Sequence, residues 1–166
     1  MSELKPLSKE AIPAALEKAV RYRLLNEPGE AESICLDVLR ADPENQEAII
    51  TLLLAFTDRF EKGYGVGDTQ AKELLSRIKS EYDRAYYAGI FAERRAKAKL
   101  AQNTPDCRFQ AYDLLQEAMN WFEKAEAIRP PGHDDALLRW NTCARIIAQN
   151  KLVPRAEEER IEFPLE

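Results

Sequence analysis

The chain has 166 residues, 32% of them Asp, Glu, Lys or Arg, and a formal net charge of −5. That length fits one domain with a buried core, and the acid excess excludes a general nucleic-acid surface, which needs a basic field to displace phosphate counterions. Cys35, Cys107 and Cys143 are odd in number and widely spaced, and His133 is the single histidine, so neither a disulfide framework nor a zinc site is expected and no cofactor is assigned.

Helical periodicity dominates from about Ala11 onward, and strand-type alternation is essentially absent. An all-α fold of about seven helices is expected. The first helix is predicted from near Pro13 to Leu25, followed by a turn at Asn26-Glu27-Pro28-Gly29 and a second helix from Gly29 to Ala41. Asp42-Pro43-Glu44 has the form of a cap, a proline at the first helical position and a dipole-matched acid, opening a third helix to about Phe60. The segment Glu61 to Gly67 breaks the pattern, and Asp68 is expected to cap a fourth helix through about Lys79. Ser80 caps a long fifth helix from Glu81 to about Gln102. Asn103-Thr104-Pro105-Asp106 then stops it and starts a sixth helix that runs to Ile128. Pro130-Pro131-Gly132 ends that helix, and Asp134 caps a seventh to about Gln149, with Asn150 suited to its C-terminal turn. The chain therefore divides into a helical domain, residues 1 to 150, and an extended acidic, proline-containing tail, residues 151 to 166.

No apolar run of signal-peptide length occupies Met1 to Ile12. The longest apolar stretch, around Ala48 to Phe56, is too short to cross a bilayer. A cytoplasmic protein that contacts neither membrane nor nucleic acid is the expectation.

Two stretches share one pattern. In Glu30 to Pro43 a small residue, a bulkier apolar residue four positions on, a small or branched one three further and a closing proline are Ala31, Cys35, Val38 and Pro43; in Glu117 to Pro130 they are Ala118, Phe122, Ala125 and Pro130. Counting back from Pro43, Ala19 and Tyr22 take a small and an aromatic position in the preceding helix. This pattern resembles the tetratricopeptide repeat, a helix-turn-helix unit of about 34 residues. Pro43 and Pro130 lie 130 − 43 = 87 residues apart, so roughly 19 residues are inserted relative to two ordinary periods. Tyr86, Tyr87, Ala88, Gly89 and Ala92 resemble a repeat's first helix, and Ala136, Trp140 and Cys143 an incomplete closing one.

The resemblance implies a right-handed superhelical stack of antiparallel helix pairs whose first helices line a concave surface. Placed on that pattern, Leu16, Val20, Leu24, Ile50, Leu54, Tyr86, Ile90, Leu137 and Asn141 lie on or near the surface, with Arg94 beside them. Such a groove is largely apolar and suits a peptide or helix of a partner protein. The carboxylate clamp of one subgroup is not expected, because its first-repeat positions fall on Leu16 and Val20.

Other signals are weighed against plainer roles. Gly63-Tyr64-Gly65-Val66-Gly67 lacks the strand and the Gly-Lys-Ser/Thr of a phosphate loop and fits an inter-helix turn better. Arg94, Arg95, Lys97 and Lys99 suit a solvated, dipole-matched helix end, or else an acidic partner. The tail offers Glu157-Glu158-Glu159 followed by Ile161, Phe163 and Leu165 in alternation, either disordered or laid along the groove. At least one of Trp121 and Phe122 is expected between helices, and His133, beside Asp134 and Asp135, fits an exposed turn. The expected function is a non-catalytic protein-interaction module. A dedicated client chaperone is the alternative, and an enzyme or nucleotide-binding subunit using the glycine loop is a third; self-association through the tail or groove is a further expectation.

Overall fold

The computed structural model describes residues 1–60 and 68–156. The glycine loop Gly63 to Gly67, the expected capping role of Asp68, the acidic run Glu157 to Glu159 and Ile161, Phe163 and Leu165 lie outside the described residues.

Seven α-helices form among the described residues, with no strand: α1 (Ile12–Leu24), α2 (Pro28–Ala41), α3 (Gln46–Thr57), α4 (Asp68–Ser76), α5 (Glu81–Gln102), α6 (Pro105–Ala127) and α7 (Asp135–Gln149). Pro13, Pro28 and Pro105 occupy the first turns of α1, α2 and α6, where a missing N–H breaks no hydrogen bond. Ser80 and Thr104 cap α5 and α6, their side-chain oxygens accepting from the backbone N–H of Asp83 at 3.2 Å and of Cys107 at 3.4 Å. Asn103 ends α5 in the left-handed region at φ 54°.

Both boundaries of α3 and the end of α4 differ from expectation, α3 stopping at Thr57 rather than about Phe60. Asp42-Pro43-Glu44 is a turn rather than the start of α3: Asn45 N–H donates to the Asp42 carbonyl, and Asn45 is the cap, its side-chain oxygen accepting from Ala48 N–H at 2.9 Å. Asp42 instead accepts from the Asn45 amide at 3.2 Å. The fourth helix stops at Ser76, before Lys79, because Gln46 holds the chain beyond it: its amide nitrogen donates to the Arg77 carbonyl at 3.2 Å and its oxygen accepts from Lys79 N–H at 2.8 Å. Ile78, between the two clamped residues, is fully buried in a core cluster that includes Leu52 of α3, Leu74 of α4 and Phe91 of α5. Asp134 does stand at the N-cap position of α7 as expected, but makes no side-chain cap bond; its carboxylate pairs with Arg129 at 3.4 Å.

Helices joined by short turns pack along one another: α1 on α2, α2 on α3, α6 on α7, and most extensively α5 on α6. Smaller contacts join α1 to α3, α3 to α5 and α5 to α7. Small residues set the close approaches. Ala19, Ala31 and Cys35 are fully buried between α1, α2 and α3, as are Ala111, Ala118 and Ala125 on α6. Of the aromatic pair on α6, Phe122 is fully buried against Gly89 of α5, while Trp121 sits half-buried under Lys124, whose ammonium is 4.4 Å from the ring centre. Beyond α7 the chain turns back onto α6, burying Leu152 and placing Arg155 on Asp106 and 4.9 Å over the Phe109 ring. No helix among the described residues is long and apolar enough to cross a membrane.

Candidate functional site

Four helices contribute to one hollow. The C-terminal turn of α1 supplies Arg23 and the following Asn26, the end of α3 supplies Thr57 and Asp58, α5 supplies Arg94 and Lys97, and α7 supplies Arg139, around a cavity of about 280 Å³. Each arginine stands one turn beyond a buried residue on the same helix face: Arg23 after Ala19, Arg94 after Ile90 and Arg139 after Ala136. The buried turn fixes each helix against its neighbours, and the next turn carries the cation into the space between them.

Two carboxylates organise these cations. Asp58 accepts a fork from Arg23, at 2.8 Å from Nε and 3.1 Å from Nη2, and a further bond from Arg94 Nη1. The same Arg94 nitrogen donates to the Thr57 hydroxyl oxygen at 3.0 Å, while that hydroxyl donates to the Leu54 carbonyl at 2.7 Å. Planar guanidinium groups suit this bridging geometry, and the second bond from Arg23 fixes the carboxylate plane. Glu93, fully buried one turn before Lys97, has its carboxylate 3.4 Å from Lys97 Nζ and 3.6 Å from Arg139 Nη1, and accepts a weak bond from the Cys143 thiol at 3.6 Å. Burial raises the pKa of the Tyr86 hydroxyl above its ordinary value, and the nearby Arg139 guanidinium works against that rise. Four cations against two carboxylates leave an excess of two positive charges in a chain whose sequence carries −5.

The residues expected to line an apolar groove divide three ways. Leu16 and Ile90 are core residues and line no surface. Ile50, Leu54 and Tyr86 are partly buried against the two larger core clusters, and none of them lines the cavity. Val20 and Leu24 are exposed on α1, Leu24 at 82%, while Leu137 and Asn141 flank Arg139 on α7, half-buried. Arg94 lines the cavity as placed. The hollow itself is polar, because Leu16 and Ala19 of α1 and Ile90 of α5 turn inward to pair the helices and leave the arginines facing the opening. An apolar hollow of about 350 Å³ lies elsewhere, lined by Leu36 and Leu39 of α2, Leu52 and Phe56 of α3 and Leu74 of α4, with Arg40 and Arg77 at its edge.

The basic run of α5 is not a uniformly solvated helix end. Arg94 and Lys97 enter the cavity, whereas the Arg95 guanidinium lies 5.7 Å from the Phe91 ring centre. Arg23, Asp58 and Arg139 were not expected in a site. A cation one turn beyond a small or branched apolar residue, recurring on α1, α5 and α7, is the signal that would have found the arginines; Asp58 has no such signal, since only the end of α3 brings it there.

His133 is half-exposed, with its Nδ1 2.8 Å from the Tyr82 hydroxyl and its Nε2 3.3 Å from Asp135. The turn does bring histidine and acid together, although the partner is Asp135 and tyrosine takes the second nitrogen, so the ring is held on α5 as a packing contact.

Burial pushes the thiols of Cys35 and Cys143 up from 9.0 to about 12, with the Glu93 charge adding to the effect at Cys143. They are inert as nucleophiles near neutral pH. A raised folded-state pKa means that the folded protein keeps a proton the unfolded chain loses. The contribution to stability is therefore complete below pH 9 and is lost progressively as the pH rises towards 12. The urea midpoint is expected to fall over that window, less steeply in Cys35→Ala and Cys143→Ala variants; an unchanged pH slope in both variants would contradict the assignment. Among the described residues no group of three or more His, Cys, Asp or Glu side chains is placed to hold a metal ion.

Compared with protein-family models, with curated proteins and with solved structures, the chain matches none.

Proposed function

We propose that this protein is a non-catalytic, cytoplasmic interaction module of tetratricopeptide-like architecture, which holds a short segment of a partner protein across the cavity between α1, α3, α5 and α7. The observation that carries it is the cavity at which those four helices meet, with cations drawn from α1, α5 and α7. The contacts of α1 with α3, α3 with α5 and α5 with α7 support a stack of helix pairs in which alternate helices share one face. Small buried residues at the helix crossings support the same register.

The partner segment is acidic where it meets Arg94, Lys97 and Arg139, and apolar where it meets Val20 and Leu24, which are one turn apart on α1 and exposed. Apolar anchors supply affinity, and the cations supply register and encounter rate. The groove is thus mixed in character rather than chiefly apolar.

A random peptide library displayed on phage, panned on the purified protein, tests this. Enriched peptides are expected to pair an acidic position with an apolar one, and Leu24→Asp is expected to weaken a selected peptide by about tenfold or more, the loss of an interface anchor. Failure to enrich any sequence above a control protein would exclude peptide binding by this surface.

A further inference from the structure

We propose that the cavity between α1, α3, α5 and α7 is a receptor site for a compact dianion, specifically a phosphoryl group. The partner-binding function proposed above sets its context. Three guanidinium groups and one ammonium come from α1, α5 and α7, and so converge on a single hollow instead of running along a groove. Asp58 neutralises one charge of the Arg23–Arg94 pair and Glu93 one charge of the Lys97–Arg139 pair, so each pair retains one positive charge. The site is preorganised for two negative charges, because both carboxylates hold their cations in place before any ligand arrives.

A phosphoryl group places close to two charges and three acceptor oxygens on one atom. Two neighbouring carboxylates carry the same charge, but on separate residues about 3.3 Å or more apart along an extended chain. The second arrangement fits a row of cations; the first fits convergent ones. Arg94 and Lys97 stand three residues apart on α5 and so present donors side by side, with Arg139 facing them from α7. A phosphoryl oxygen between Arg94 and Lys97 would receive one donor from each pair, which links the two halves of the network through the ligand. The Asn26 amide, at φ 60° in the turn after α1, lies at the same opening as an uncharged donor.

The phosphoryl group has two sources, a phosphorylated side chain of a partner or a small phosphorylated molecule, and one set of titrations separates them. Fluorescence anisotropy would be measured with degenerate peptide pools carrying a central phosphoserine, a serine or an Asp-Glu pair, alongside thermal shift with inorganic phosphate against sodium chloride of equal ionic strength. Lys97 is the cation to vary, since it is 38% exposed and its ion pair is with Glu93, one turn back on the same helix, so that changing it disturbs no contact between helices. Lys97→Gln is expected to weaken binding about tenfold, and Lys97→Arg to retain it; circular dichroism checks that both variants fold.

Preference for the phosphoserine pool, lost in Lys97→Gln and kept in Lys97→Arg, supports the proposal with a protein-borne ligand. Stabilisation by inorganic phosphate with the same dependence on Lys97, but no preference among pools, supports the phosphoryl site and excludes a peptide partner. Equal or tighter binding of the Asp-Glu pool overturns the phosphoryl assignment in favour of carboxylates. Binding indifferent to both variants, or none at all, overturns the site; peptide binding that persists in Lys97→Gln would leave the partner function standing at another surface.

Discussion

Phe122→Ala is expected to lower the free energy of unfolding by about 3–5 kcal/mol, the range for removing a buried aromatic side chain from a core. Phe122 is fully buried at the centre of the α5–α6 interface, the most extensive helix contact of the molecule, and its ring packs 5.8 Å from that of Tyr86. The ring lies directly on Gly89: a β-carbon there would stand 2.5 Å from Cε1 and 2.7 Å from Cδ1. A glycine inside a helix costs roughly 1 kcal/mol relative to alanine, and the close approach of α5 to α6 that it permits outweighs that loss. Gly89→Ala should therefore destabilise by about 1–3 kcal/mol despite its better helix propensity. The two effects are coupled through one contact, so Gly89→Ala should be much milder in a Phe122→Leu background, where the ring is gone. Urea unfolding followed by far-ultraviolet circular dichroism measures all three; a Gly89→Ala protein more stable than the parent would show that the ring moves aside and that the pair does not set the helix separation.

The second large effect is expected at Glu93. Its side chain has no exposed surface, and its carboxylate stands between Lys97, Arg139 and the Cys143 thiol. Glu93→Ala removes the one anion those two cations share within the helix packing and leaves a void beside Cys143. Breaking a buried ion pair by deleting one partner costs about 3–5 kcal/mol. Because Lys97 and Arg139 keep 38% and 31% of their side-chain surface, both can turn towards water, so about 2–3 kcal/mol is expected here after that screening. Glu93→Gln keeps the shape and should recover part of the loss. Equilibrium unfolding in urea gives the values, and the loss should persist in high salt, since the carboxylate is buried; a destabilisation that vanishes at 1 M salt would mark the pair as a surface contact.

Local signals made most helices legible. Pro28 and Pro105 at first turns, Ser80 as a cap and the break at Asn103-Thr104-Pro105 act within a few residues of chain, and the structure realises each of these where expected, though not Pro43. The shifted start of α3 is local as well, since Asn45 takes the cap in place of Asp42, whereas the early end of α4 has a different origin. Gln46 and the segment 77–79 lie more than thirty residues apart, and their hydrogen bonds stop α4 early. No property of Ser76 or Lys79 alone announces that.

The site was legible in part for the same reason. Arg94 stood out as one of a basic run, but whether it met solvent, an aromatic ring or a carboxylate depended on where α1, α3 and α7 ended around it. Leu16 and Val20 illustrate the limit from the apolar side: they sit one turn apart, yet the first is buried and the second exposed. Periodicity reports that a face is apolar without reporting how wide the neighbouring helix is.

By itself, then, the sequence determined that the described chain is helical, where most helices start, and which small residues form their crossings, because capping, proline geometry and apolar periodicity are short-range properties of the backbone. Tertiary structure decided that Arg23, Asp58, Arg94, Lys97 and Arg139 share one cavity and that Glu93 lies beneath it. Four separate helices must pack before those charges meet, and the interactions that organise them exist only over the few ångströms that packing creates.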